Sequence, residues 1–418
     1  MARHEALVRA GAFCEAYNLR APILMAPMAG ACPASLAIAI ANAGGLGGCG
    51  ALLMQPDAIR GWTADVRAGS NGAFQINLWI PDPPPPRDAV AEDAVRRFLG
   101  QWGPQVAPEA GDARPPDFDA QCEAMLEAGP AIISSVMGLY PEPFIARMKS
   151  RSIKWFATAT TVREAKAAEG AGADVIVAQG MEAGGHRGAF DATRAEAAMV
   201  GLMSLLPAVV DAVQVPVVAA GGIADGRGVA AALLLGACAV QVGTAFLRCP
   251  EAKVAPAWAD AIARAAPEDT LVTRAFSGRA GRSLATAYVR AASAPTAPPP
   301  APYPVQRGLT QAMRDAGAKG TISTGFRPGP VSLPAWPRRS PRARSCAGYG
   351  KERRRCSNRS MLCSNPRINK GRTLRCDPSP LVGLGVRIWT GRGPPCVRRI
   401  NYRLCWRAVV TSNRPPWR

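Results

Sequence analysis

The residue best suited to proton transfer is His186, one of two histidines in a chain of 418 residues. It stands in the glycine-rich stretch AQGMEAGGHRG (178–188), directly after an apolar run, and Gly184 leaves room for a ligand nearby. An imidazole with an ordinary pKa of about 6.5 can take up or release a proton near neutral pH. The residues alone predict either a catalytic histidine or an ordinary surface one. Glu182 and Arg187 are neighbours whose side chains could also face such a site.

Two pairs of small residues predict a site for a phosphate group. In VPVVAAGGIADGRGVAAALLLGACAVQVGTAF (215–246), apolar runs end at Gly221 and Gly222 and again at Gly243 and Thr244. Without a Cβ the backbone can approach an anion, which its N–H groups, a helix N-terminus and a threonine hydroxyl can then bind. Either pair alone is typical of a tight turn, but together they favour phosphate binding.

Other residues at the ends of apolar runs extend this candidate site. Asn77 in QINLW and Gln179 in VAQG carry amides that can bind the edge of a heteroaromatic ring, although each is also typical of a structural polar group. The turn APMAG offers Ala26, Pro27 and Met28 as a surface for a flat ring. Met28 is equally typical of a core residue.

Several other chemistries find little support. No cysteine has a histidine partner at a recognisable spacing, and neither a GxSxG elbow nor a P-loop is present. GGLGGCG (44–50) contains a GxGxxG pattern, but it follows the helix-like SLAIAIANA, whereas a dinucleotide fingerprint follows a strand. The six cysteines beyond residue 320 form no CxxC pair and have no histidine among them. The sequence therefore predicts no metal site, no nucleophilic hydrolase and no NTPase.

The elements that must position these residues alternate from residue 20 to about 250. Short apolar runs with few charges are separated by longer alanine-rich stretches, which is typical of strands in a parallel sheet and their crossover helices. Eight such units predict an α/β fold, a (β/α)8 TIM barrel, with an open doubly wound sheet as the alternative. The predicted strands are 23–28, 44–51, 73–79, 131–136, 154–160, 173–180, 215–222 and 239–246.

Proline-rich insertions interrupt the pattern after the third predicted strand. They span 80–88 and 103–119 and flank a helical stretch, DAVAEDAVRRFLG (88–100). They predict either an elaborated loop at the face where barrel active sites lie or a surface excursion without a role. Further helices are predicted within 250–270 and 308–318.

The formal net charge of +20 is confined to the C-terminal part of the chain. Residues 321–418 hold 22 of the 50 Lys and Arg residues but only two of the 30 Asp and Glu residues. Residues 1–320 therefore hold 28 basic and 28 acidic residues. The body therefore has no basic patch for nucleic acid. We interpret 1–320 as the folded domain and the aperiodic, Arg-rich 321–418 as a disordered or frameshift-derived tail, with a genuine basic extension as the alternative.

No feature of the sequence predicts a membrane protein or a secreted one. No apolar run reaches the roughly 18 residues of a membrane span. The N-terminal segment lacks the apolar region of a signal peptide. We expect a cytoplasmic monomer or homodimer that binds small molecules.

Taken in order, these motifs resemble the nitronate monooxygenase family, formerly called 2-nitropropane dioxygenases, which are FMN-dependent (β/α)8 enzymes. The matching pieces are APMAG, GGLGGCGALLMQPDAIR, FQINLW, AQGMEAGGHRG, VPVVAAGGIADGRG and AVQVGTAF, and the resemblance covers about residues 20–320. By this resemblance the family's catalytic histidine corresponds to His186. The implied FMN contacts are Ala26, Pro27, Met28, Asn77, Gln179, Gly184, Gly222, Gln241, Val242, Gly243 and Thr244.

The activity that this resemblance implies is the oxidation of alkyl nitronates, such as propionate 3-nitronate, with O2 to a carbonyl compound and nitrite. In this chemistry His186 removes the α-proton of a nitroalkane or orients a nitronate that arrives ionised. NAD(P)H:quinone reductases and flavin-type enoyl-acyl-carrier-protein reductases also resemble the chain around the GGH turn, and they remain as alternatives. A protein that binds nucleic acid through its basic tail is an alternative of another class.

Overall fold

Eight parallel strands form the sheet at the centre of the molecule, whose residues 2–318 are described by a computed structural model. All eight predicted strands are confirmed, and each end lies within four residues of its predicted position. The barrel strands are β1 (Ile23–Met25), β2 (Gly47–Gly50), β3 (Phe74–Trp79), β4 (Ile132–Val136), β5 (Lys154–Ala159), β6 (Val175–Gln179), β8 (Val217–Ala220) and β9 (Ala239–Val242). Three further strands form a small antiparallel sheet, namely β7 (Gly185–His186), β10 (Thr270–Thr273) and β11 (Gly281–Leu284).

The sheet closes on itself, so the barrel prediction is confirmed and the open-sheet alternative is wrong. Its order runs β1-β9-β8-β6-β5-β4-β3-β2, with every neighbouring pair parallel. A parallel bridge between Leu24 and Leu46 joins the two end strands through hydrogen bonds of 2.8 and 3.0 Å. Because closure leaves no free edge, every strand is paired on both sides.

Seven of the helices within residues 2–318 pack their apolar faces on the outward-facing side chains of the strands, namely α2 (Ala34–Asn42), α3 (Pro56–Gly69), α5 (Phe118–Ala128), α6 (Glu142–Ser150), α7 (Val162–Gly170), α8 (Leu202–Val210) and α9 (Gly226–Leu234). The other helices of this region are α1 (Ala2–Ala16), α4 (Ala89–Leu99), α10 (Pro256–Arg264), α11 (Ala287–Ala292), α12 (Val305–Leu309) and α13 (Gln311–Ala318). No helix within residues 2–318 is both long and apolar enough to cross a membrane.

The N-terminal mouth of the barrel is plugged by α1, which the sequence analysis does not predict. Phe13 and Tyr17 pack on Phe156 of β5, with the Tyr17 and Phe156 rings edge to face at 5.2 Å. This cluster continues inward through the apolar side chains that point into the barrel. With that mouth filled, a ligand reaches the barrel interior from the C-terminal ends of the strands.

A cap lies at those C-terminal ends, and it is built from α4 together with Thr270–Ala318. Val95 and Leu99 of α4 share one apolar cluster with Tyr288 of α11 and Leu309 of α12. The helix in the insertion is thus confirmed, and it begins where Asp88 accepts hydrogen bonds from two backbone amides. The insertion is part of a packed layer and not an isolated excursion.

An ion pair fastens the insertion to the cap. Arg279, whose side chain is 4% exposed, donates to both carboxylate oxygens of Asp82 at 2.8 and 2.6 Å. Such a bidentate pair fixes both side chains in one geometry. The backbone that carries Asp82 is thereby tied to the segment between β10 and β11.

Replacing Asp82 with Ala should loosen the cap without unfolding the barrel. We expect a loss of about 1–3 kcal/mol of stability in the cap, because Arg279 then stays buried with no acid beside it. Hydrogen exchange should show faster amide exchange in 270–318 than in the barrel strands. Asp82→Asn, which keeps one acceptor oxygen, should lose less, and unchanged protection in the alanine variant would contradict a latch.

Candidate active site

A cavity of about 420 Å³ opens at the C-terminal ends of the barrel strands, beneath the cap. Eleven of the twelve residues predicted for the site line it. These are Ala26, Pro27, Met28, Asn77, Gln179, Gly184, His186, Gly222, Gln241, Gly243 and Thr244. Val242 is the exception: side chains alternate along a strand, and that of Val242 lies in the core between sheet and helices. Only the backbone of Val242 is near the cavity.

The loop after β8 forms the glycine-lined side of the cavity. Gly221 and Gly222 have φ angles of 120° and 67°, and a Cβ on Gly221 would lie 3.1 Å from the Ala183 nitrogen. The backbone N–H groups of Gly222 and Ile223 donate no hydrogen bond to any acceptor among residues 2–318. The predicted role of a helix N-terminus is less direct, because Asp225 caps the first amides of α9. An anion here would meet loop amides first.

Amide side chains form the floor of the cavity. Asn77, which is 3% exposed, donates to the Ser134 hydroxyl at 3.1 Å. The Gln75 amide donates to the Met25 carbonyl at 2.9 Å and lies 3.3 Å from the Gln241 side-chain oxygen. Within residues 2–318 the side-chain oxygen of Gln75 is buried without a partner. Asn77 and Gln241 thus make the floor polar, whereas Gln75 lies behind it and does not line the cavity.

The segment that carries His186 is a short strand and not the turn that the sequence predicts. Gly185 and His186 form β7, and His186 pairs with Gly281 of β11. The Gln179 side chain holds this segment from the other side, donating to the His186 carbonyl at 3.2 Å and accepting from the Gly188 amide at 2.8 Å. Gln179 therefore positions the histidine backbone besides lining the cavity.

Glu182 and Arg187 do not face the cavity. Both carboxylate oxygens of Glu182 accept from the Leu202 amide at 3.0 Å, at the start of α8. Arg187 is 2% exposed and donates to the carbonyls of Gln179 and Gly180 at 3.2 and 2.7 Å. The two residues stabilise the loop that carries His186 from behind.

The imidazole of His186 is half-buried in a cationic environment. Its Nε2 lies 2.7 Å from the Ser277 hydroxyl oxygen, and its ring meets the Trp79 ring edge to face at 4.7 Å. Loss of hydration, followed by the positive charges of Arg279, Arg307 and Arg314, lowers the pKa of His186 to about 3. The ring is therefore neutral at neutral pH.

Two of these arginines, Arg307 and Arg314, form no close ion pair among residues 2–318, although the Asp315 carboxylate acts on both at longer range. Burial lowers the pKa of Arg307, and its guanidinium makes no hydrogen bond or ion pair there. Burial and the nearby Arg307 lower the pKa of Arg314 to about 10. Arg314 donates to the Thr310 hydroxyl and the Arg307 carbonyl at 3.3 and 3.0 Å. Asp315 is the one acid within residues 2–318 that lines the cavity, so this end of the cavity favours anions.

The sequence analysis misses the residues that the cap contributes. They come from irregular segments and short helices after the eighth strand, where no strand-end rule applies. Trp79 is also missed, although it does not belong to the cap: it ends the predicted third strand, and its ring packs on that of Tyr303 with 5.4 Å between the ring centres. The missed lining residues include Trp79, Ser277, Arg279, Tyr303, Arg307 and Arg314. Among residues 2–318, no group of three His, Cys, Asp or Glu side chains could hold a metal ion.

Comparison with known proteins places this cavity in context. The family model described as "Nitronate monooxygenase" matches residues 13–325. A nitronate monooxygenase from Paraburkholderia phytofirmans is 39% identical over 318 residues, which are 73% of this chain and 84% of that protein. A probable nitronate monooxygenase from Staphylococcus aureus is 36% identical over 307 residues, covering 72% of this chain and 85% of its own length. The match runs five residues past residue 320, and the rest of the Arg-rich tail, which lies outside the described residues, is not part of it.

Solved structures are similar over the same region. A nitroalkane oxidase from Streptomyces ansochromogenes has a TM-score of 0.68 at 35% identity, covering 75% of this chain and 90% of its own. FabK from Thermotoga maritima has a TM-score of 0.57 at 28% identity, covering 77% and 88%.

Proposed function

This chain belongs to the nitronate monooxygenase family of flavin-dependent oxidoreductases, and from that premise we propose that it oxidises alkyl nitronates with bound FMN and O2. The products are a carbonyl compound and nitrite. The observation that carries the proposal is the placement of a neutral His186 in the same cavity as a glycine-lined anion site. FMN supplies the redox chemistry, while the protein binds, orients and excludes water.

Three features of the cavity support FMN as the cofactor. The free amides of Gly222 and Ile223, with Gly243 and Thr244 on the adjacent strand end, suit a phosphate. The polar floor suits the edge of a flavin ring. Ala26, Pro27 and Met28 supply an apolar wall for its face. A volume of about 420 Å³ lies within the range of about 300–1,000 Å³ that small-molecule sites occupy.

Replacing Gly243 with Val should strongly weaken flavin binding while leaving the barrel folded. A Cβ at this position would lie 3.3 Å from the Ala26 Cβ and 3.5 Å from the Met28 sulfur, so further methyl groups must enter the cavity. We expect at least about a 100-fold weaker FMN affinity for Gly243→Val and less than about 10-fold for Gly243→Ala, from lost contacts and overpacking. Quenching of flavin fluorescence measures both. Equal FMN affinity in the two variants would contradict the placement of the flavin beside Gly243.

His186 orients the nitronate in this proposal. The alternative role of a base needs a side chain that holds a proton well, and a histidine whose pKa is about 3 does so poorly. Nitronates are already ionised, so no base is needed to form them. A neutral imidazole can hydrogen-bond a nitronate oxygen without giving up a full proton.

Arg307 and Arg314 support a nitronate that carries a second negative group, as propionate 3-nitronate does. Both line the cavity without a close ion pair among residues 2–318, and burial weakens the hydration of their charges. A bound carboxylate would supply the acceptors that the Arg307 guanidinium lacks. The anion also makes the arginines less costly to bury.

A reductase that uses NAD(P)H is the second candidate, because FabK has the same fold at 28% identity. The two functions differ in the electron donor. Oxygen uptake with propionate 3-nitronate tests the first, and oxidation of NADH with a quinone or an enoyl thioester tests the second. Negligible nitronate turnover by the flavin-loaded chain would overturn the proposed function.

A further inference from the structure

The contact between Ser277 and His186 determines which ring nitrogen can meet a substrate. Nε2 is engaged by the Ser277 hydroxyl at 2.7 Å. Nδ1 has no hydrogen-bond partner among residues 2–318. It is also accessible, because it is absent from the polar atoms of this region that are both fully enclosed and unpartnered. Because His186 lines the cavity, Nδ1 is the nitrogen available to a ligand. A neutral imidazole has one N–H, so the proton on either nitrogen decides whether Nδ1 donates or accepts.

The surroundings of Ser277 indicate the direction of this hydrogen bond. The Arg279 amide can only donate, and it reaches the Ser277 oxygen at 3.3 Å. The Arg279 carbonyl, the competing acceptor for the hydroxyl proton, lies at 3.4 Å, beyond the usual limit of about 3.0 Å for a hydroxyl donor. The 2.7 Å separation from Nε2 lies well within the range of a hydroxyl donor and at the lower end of the range of an N–H donor. The serine proton therefore belongs on the bond to Nε2.

The charges around the ring favour the same assignment. Arg279, Arg307 and Arg314 are the cations that act on His186, and Asp82 is engaged with Arg279. The other groups at this end of the cavity are Asp315, whose carboxylate accepts from Gln311, and Tyr303. These cations disfavour a second proton on the ring and attract an anionic ligand. An N–H at Nδ1 would complement that anion, whereas a bare lone pair would repel it.

We propose that Ser277 is a positioning residue whose hydroxyl donates to Nε2 of His186, so that the ring presents Nδ1–H to the cavity and binds one oxygen of an ionised nitronate. The substrate role rests on the proposed function, but the hydrogen-bond direction does not. His186 then moves no proton itself. The enzyme accordingly selects nitronates over neutral nitroalkanes, which must ionise before they bind.

Nitrogen NMR of the histidine ring tests the hydrogen-bond direction directly. The chain has two histidines, so the full-length His4→Gln protein labelled with ¹⁵N-histidine reports on His186 alone. We expect a protonated Nδ1, an unprotonated Nε2 and no titration between about pH 5 and pH 8. Ser277→Ala should shift the proton toward Nε2, and Ser277→Thr should restore the wild-type pattern. If the protein that retains Ser277 shows a protonated Nε2, or if its His186 ring titrates near pH 6.5, the proposal is overturned.

Kinetics with a preformed nitronate tests the consequence for the substrate. Ser277→Ala should lower kcat/KM by about 10- to 100-fold with its flavin retained, and Ser277→Thr should recover most of it, as expected for a partner that orients a catalytic group. Unchanged kinetics alongside a shifted proton would overturn the positioning role. If the NMR pattern holds but the wild-type protein does not oxidise nitronates, the proposed function fails while the hydrogen-bond direction stands.

Discussion

Replacing His186 with Leu abolishes nearly all nitronate oxidation while the flavin stays bound. The His186 backbone is held by the Gln179 side chain and by pairing with Gly281, and neither contact uses the ring. The side chain can therefore change without loosening the loop. We expect kcat/KM to fall by at least about 100-fold, since a hydrogen bond to a charged group in a water-poor site is lost and its partner left unsatisfied.

His186→Asn is the matched variant because its amide keeps one N–H donor. Its kcat/KM should fall by only about 10-fold, because the shorter side chain still reaches the nitronate but in a poorer geometry. The bound flavin is measured from the visible spectrum of each purified variant. Loss of flavin with either substitution would assign His186 a structural role and contradict the account.

Replacing Arg307 with Met changes which nitronates the enzyme prefers. Arg307 lines the cavity and its guanidinium has no partner among residues 2–318, so the substitution removes a charge without orphaning an acid. For propionate 3-nitronate, KM should rise by about 10- to 100-fold, the effect of losing a charge-assisted hydrogen bond. For ethyl nitronate, which has no carboxylate, KM should change by less than about 3-fold.

Two comparisons separate this effect from a general loss of positive charge. Arg163→Met removes an exposed arginine on α7 and should leave both KM values unchanged. Arg314→Met removes the second cavity cation and should act in the same direction as Arg307→Met, although Arg314 also supports α12 through the Arg307 carbonyl. An equal rise in KM for both nitronates would mean that Arg307 acts on the nitronate group and not on a carboxylate.

The barrel and its strand-end residues could be predicted because parallel strands buried on both faces leave a strong local signal. Charge-poor runs ending in Gly221 and Gly222 or in Gly243 and Thr244 mark the positions where the backbone must turn at the cavity. The Val242 side chain does not line the cavity for a simple reason. Strand alternation places Gln241 and Gly243 toward the cavity and turns Val242 away.

The cap could not be predicted, since its contribution depends on contacts distant in sequence. Ser277 reaches His186 across 91 residues, and Arg279 reaches Asp82 across 197. Neither segment has a periodicity that marks it as part of a site. Likewise, β7 exists only because β11 pairs with it, so the sequence around His186 reads as a turn. The division at residue 320 and the nature of the tail stay predictions, because residues 319–418 lie outside the described part of the chain.

Oxygen consumption by the full-length, FMN-loaded protein tests the central claim most directly. With propionate 3-nitronate as substrate, the account predicts oxygen uptake accompanied by nitrite release, with no requirement for NADH or NADPH. The His186→Leu protein, carrying the same amount of flavin, should show almost none. Rapid NADH oxidation with a quinone or an enoyl thioester, together with negligible nitronate-dependent oxygen uptake, would contradict the account and assign the cavity to a reductase.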